Sequence, residues 1–77
     1  MELEKELGSQ PLDGVMEKLG FSNIDLVQAS TEQLTFKMVR KGRMGRRLTR
    51  NVQNKILHAV RIASPSNTFI LKDLFNY

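Results

Sequence analysis

A chain of 77 residues with no cysteine is one small domain near the lower limit for burying its own core, with no disulfide framework or thiolate metal site to staple it. Its formal net charge of +4 is unevenly divided: residues 1–32 carry seven acids against Lys5 and Lys18, a net of −5, and residues 33–77 carry ten bases against Asp73, a net of +9. No apolar run approaches the roughly 18 residues of a membrane span, and the acidic start lacks the basic and apolar stretches of a signal peptide, so a cytoplasmic protein without a membrane partner is expected.

In chain order, residues 1–9 read as a flexible acidic N-terminus, with Glu2, Glu4 and Glu6 around Leu3 and Leu7. Residues 10–63 read as a helical domain and 64–77 as an apolar tail. The first helix is predicted in SQPLDGVMEKLG, where Leu12, Val15, Met16 and Leu19 recur on one face. Ser9 or Gln10 precedes it as cap, Pro11 is tolerated in the first turn, and Gly20 is the stop. A short second helix follows in SNIDLVQAS, with Ser22 and Asp25 spaced as a capping box.

The third helix is predicted over TEQLTFKMVRK, joined to the second by a tight link. Ser30 with Gln33 forms a second capping-box pattern, and Thr31 competes as cap. Leu34, Phe36, Met38 and Val39 are expected on its inner side and Gln33, Lys37 and Arg40 on the outer. Gly42 and Gly45 in GRMGRR are expected to permit turns. The fourth helix opens at Thr49 and runs to about Ala63, where Ser64-Pro65 ends it. The tail, NTFILKDLFNY, fits a strand through TFIL or a helical turn pairing Leu71 with Phe75. The expected fold is therefore all-α, a helix-turn-helix bundle of about four short helices with an extended or helical tail. Its expected core is Leu12, Val15, Met16, Leu19, Leu26, Leu34, Phe36, Val39, Val52, Ile56 and Val60.

The stretch ASTEQLTFKMVRKGRMGRRLTRNVQNKILHAVRIA resembles the DNA-binding headpiece of the lac-repressor family and its lambda-repressor-like relatives. The likeness is carried by Ala29, Thr35 and Val39 and by TRNVQNKILHAV, with Ile56, Leu57, Ala59 and Val60 in register. The sequence departs from that pattern at the turn, where Ser30 replaces the glycine and Thr31 the following hydrophobe. The resemblance covers about 40 residues and implies a recognition helix that reads DNA.

The charge pattern leads to the same partner. Residues 37–51, KMVRKGRMGRRLTRN, hold seven Lys or Arg and no acid. Each phosphate neutralised by such a side chain releases condensed counterions, which drives binding without regard to sequence. Arg40, Lys41, Arg43, Arg46, Arg47 and Arg50 are the expected phosphate contacts. Gln33 and Lys37 are the expected base readers, because a glutamine suits adenine and a lysine guanine. Duplex DNA is the expected partner, with transcription regulation as the associated role. Structured RNA, or an acidic protein meeting the basic face, are the alternatives, and the apolar tail is the expected place for a homodimer contact.

No catalytic constellation accompanies this charge, so neither an enzyme nor a cofactor or metal is expected. His58 is the single histidine and reads as a surface or half-buried helix residue. No glycine-rich phosphate loop follows a strand.

Overall fold

The computed structural model describes residues 10–76, so the acidic stretch 1–9 and Tyr77 lie outside the described residues. Within them the chain forms five helices: α1 Pro11–Leu19, α2 Asn23–Ala29, α3 Phe36–Met44, α4 Arg50–Ala63 and α5 Leu71–Leu74. No strand occurs among the described residues. The architecture is a small all-α bundle in which α4 packs against α2, α3 and α5, and α1 against α3 and α5.

Local chemistry accounts for most helix ends. Pro11 stands in the first turn of α1, where its missing N–H costs no bond, and Gly20 ends that helix at φ 78°. The capping box of α2 is complete: Ser22 Oγ accepts from the Asp25 N–H at 3.2 Å, and the Ser22 N–H donates to Asp25 Oδ2 at 2.8 Å. Thr49 Oγ1 accepts the Val52 N–H at 3.2 Å and opens α4, which runs to Ala63 as the sequence predicts.

The start of α3 differs from expectation. Ser30 does not cap a helix; its hydroxyl accepts from the Glu32 N–H at 3.0 Å and donates to the Glu32 carbonyl at 3.1 Å, a local turn. Thr35 caps instead, accepting the Met38 N–H at 3.2 Å. Leu34 and Val39 then occupy the two positions of a hydrophobic staple, and both are buried in the core. Burial of Leu34 therefore ends the extended link and sets the helix start. Six residues, 30–35, separate α2 from α3, more than the three or four of a tight helix-turn-helix link.

The core joins Leu12 and Met16 of α1, Leu26 of α2, Leu34, Val39 of α3, and Ile56, Leu57, Ala59 and Val60 of α4. Leu74 and Phe75 complete it, so the tail belongs to the same core as residues 10–63. The tail takes the helical option, with the Phe75 N–H bonded to the Leu71 carbonyl at 2.9 Å. Two contacts clasp it: Gln10 Oε1 accepts from the Asn76 N–H at 2.8 Å, and Arg61 Nε donates to the Phe69 carbonyl at 2.9 Å. Of the expected core, Val15 and Val52 pack only partly buried against it, Leu19 is intermediate and Phe36 is exposed.

Candidate nucleic-acid interface

The inner line of α3 consists of Val39 and Gly42, both buried. Gly42 is not a turn residue. It lies inside the helix, and a Cβ there would come within 3.1 Å of Leu48 Cδ1 and 3.3 Å of Ile56 Cδ1 and Leu12 Cδ2. Its lack of a side chain lets α3 approach α1 and α4 closely. Gly45 is the turn glycine, at φ 95°, and ends α3 with its N–H and that of Arg46 directed at the Lys41 carbonyl. Gln53 is buried and holds the following segment, its Nε2 donating to the Leu48 carbonyl at 2.9 Å.

With that phase set, Phe36, Lys37, Arg40, Lys41 and Met44 fall on one outer arc of α3, and all five are exposed. Lys37, Arg40, Lys41, Met44 and Arg46 line one shallow concavity. A second, on the α4 side, is lined by Lys37 and Lys41 again, together with Thr35, Arg47, Thr49 and Val52. Five of the expected cations, Lys37, Arg40, Lys41, Arg46 and Arg47, are thus neighbours across the outer side of α3 and the turn after it. No acid lines either concavity. Lys37, Arg40 and Lys41 form no ion pair with a described residue.

Three expected site residues are placed elsewhere. Arg43, expected at phosphates, turns inward. Its Nε donates to Asp13 Oδ1 at 2.7 Å and its Nη1 to Asn23 Oδ1 at 2.9 Å, while Nη2 lies 3.6 Å from Glu17 Oε2. At 18% side-chain exposure it ties α3 to α1 and to the start of α2. Part of the acidic charge of the first third is therefore matched within the fold.

Gln33 is exposed in the 30–35 link, before α3 begins, so it does not share the helix's outer face with Lys37. The reason is the shifted cap at Thr35. Arg50 lies at the first position of α4 but lines a different groove, between α4 and α5, with Leu57, Arg61, Leu71 and Lys72. His58 is half exposed, with Nδ1 3.6 Å from Glu32 Oε2. Sequence reasoning missed the exposed pair Phe36 and Met44. The signal for them is Val39 and Gly42 at i and i+3, which mark the inner line and leave 36, 40 and 44 on the outer arc.

The tight link in this chain joins α1 to α2 through Gly20, Phe21 and Ser22. No residue of α2 is basic, so that pair presents no cationic helix. Among the described residues no helix is long and apolar enough to cross a membrane, and no cluster of His, Asp or Glu is arranged to hold a metal ion. Comparison with protein-family models, with curated proteins and with solved structures finds no match.

Proposed function

We propose that this chain binds nucleic acid, duplex DNA in the first place, through the outer face of α3 and the turn that follows it. The observation that carries the reading is the sorting of charge on α3. Arg43 meets Asp13 and Glu17, whereas Lys37 and Lys41 lie away from it with no acid lining their concavities. Arg40 stands between, without an ion pair to a described residue although it also lines a concavity with Asp13, Asn23 and Arg43. Left uncompensated, clustered cations raise the local potential and favour a polyanion over a single carboxylate. Arg46 and Arg47 extend the patch toward the start of α4. A nine-residue helix with this face is suited to the major groove, and phosphate contacts from the turn would orient it. Base reading falls to α3 itself, since Gln33 stands before it. Transcription regulation and a cytoplasmic site of action accord with such a reader. A homodimer through the tail would use its exposed residues, Ile70 foremost, because Leu74 and Phe75 are buried in the chain's own core.

The test is salt-dependent retention on duplex DNA, compared with an RNA hairpin and a polyanionic peptide. Duplex DNA should be held most tightly, with log K falling linearly against log salt. Arg40→Ala, Lys41→Ala or Arg46→Ala should each flatten that slope by about one unit if the side chain contacts a phosphate. Arg43→Ala should leave the slope unchanged and instead lower folding stability by on the order of 2 kcal/mol, because its partners lose charge-assisted hydrogen bonds. Equal, salt-insensitive retention on all three probes sinks the reading. Tighter binding to the hairpin would redirect it to structured RNA, and to the peptide, to an acidic protein.

A further inference from the structure

We infer that Phe36 reads thymine, its ring packing against the 5-methyl group in the major groove of duplex DNA, so that α3 favours an A·T pair at the position it meets. The inference rests on the nucleic-acid reading above and names the base that the site selects. Phe36 is 46% exposed and Met44 49% exposed, two turns apart on the same arc as Lys37, Arg40 and Lys41. Binding to phosphate alone does not account for them, because phosphate oxygens offer an apolar ring nothing to bury against. The thymine methyl is the major groove's apolar mark, and phenylalanine is among the side chains suited to it.

Position supports the same assignment. Phe36 is the first residue of α3, and a helix docked in the major groove meets base edges with its N-terminal residues. Lys37 is next to it in the chain, with Arg40 one turn on, so cations flank the ring on the side where phosphates would run. The other apolar surface of a nucleic acid is the face of an unstacked base. Platforms for single strands stack successive bases on several aromatic side chains. Among the described residues Phe36 is the exposed aromatic; Phe21 and Phe69 are partly buried and Phe75 is in the core. A lone ring on a helix fits one methyl group better than a run of stacked bases.

The experiment begins with selection by the full-length chain from a pool of random-sequence duplexes, followed by measurement on the selected duplex with thymine or with uracil at every thymine position. Wild type should select at least one fixed A·T pair and bind the uracil duplex about fourfold more weakly per contacted methyl. Phe36→Ala should bind both duplexes equally, with an unchanged salt slope. Phe36→Leu should recover part of the preference. Because Phe36 is half exposed, both variants should fold, which circular dichroism and thermal unfolding verify. Equal binding of thymine and uracil duplexes by wild type, a selection with no fixed pair, or a methyl preference that survives in Phe36→Ala overturns the inference. In those cases salt-dependent duplex binding persists and the nucleic-acid reading stands. Loss of all duplex binding at low salt removes both.

Discussion

Two glycines on helices face opposite fates for one added methyl group. At Gly14 on α1 a Cβ would meet nothing within 4 Å, whereas at Gly42 on α3 it would crowd the ends of Leu48, Ile56 and Leu12 at 3.1–3.3 Å. Alanine is favoured over glycine in a helix by about 1 kcal/mol. Gly14→Ala should therefore stabilise the fold by about 0.5–1 kcal/mol. Gly42→Ala meets packed side chains, where an extra methylene costs about 1–3 kcal/mol, so a net loss of about 1 kcal/mol is expected. Urea unfolding of the two variants checks the contrast, and a gain at Gly42 equal to that at Gly14 would mean that α3 does not approach the core this closely. Phe36 and Arg43 carry the same lesson about chemistry. The apolar side chain lies outside and the charged one inside, because the neighbours available to each decide its place.

At the scale of elements, the cap decides where α3 begins and hence which residues share its face. Thr35→Ala removes the acceptor of the Met38 N–H and should cost about 1 kcal/mol. Gln33→Ala, at an exposed position of the link, should change stability by less than about 0.5 kcal/mol. A helix that began at Thr31 with a Ser30–Gln33 capping box would give the reverse order. Hydrogen exchange at the Met38 amide adds an independent measure, since faster exchange in Thr35→Ala follows only if that hydroxyl holds the first turn. Thr49 does for α4 what Thr35 does for α3, and the two caps bracket the basic turn between the helices.

For the whole molecule, a small core makes each buried side chain count. Leu74 is fully buried on a helix of four residues, which could not persist alone in water. Leu74→Ala should cost about 2–5 kcal/mol, a large share of the stability of a domain this size. Ile70→Ala, at a half-exposed site in the same tail, should cost much less. Comparable small losses at both would detach the tail from the core. Removing the tail should likewise destabilise residues 10–63, because α5 covers parts of α1 and α4.

Four helices, their order and most of their ends were legible in the sequence, since each depends on residues within a turn or two of one another. Pro11 and Gly20 bound α1, Ser22 and Asp25 open α2, and Thr49 and Ser64-Pro65 bracket α4. The basic patch was legible as composition, for no acid lies between residues 33 and 72. Its layout was not. Arg43 turns inward because Asp13, thirty residues earlier, stands 2.7 Å away. Gly42 serves a close contact because Leu12, Leu48 and Ile56 converge on it. Phe36 faces out because Leu34 and Val39 already fill the core where α3 enters it, and the tail coils because Leu74 and Phe75 find burial beside α1 and α4. Caps and periodicity act through local hydrogen bonds and spacing, so a linear sequence displays them; burial and ion pairing join residues far apart in the chain, and the packed fold alone decides them.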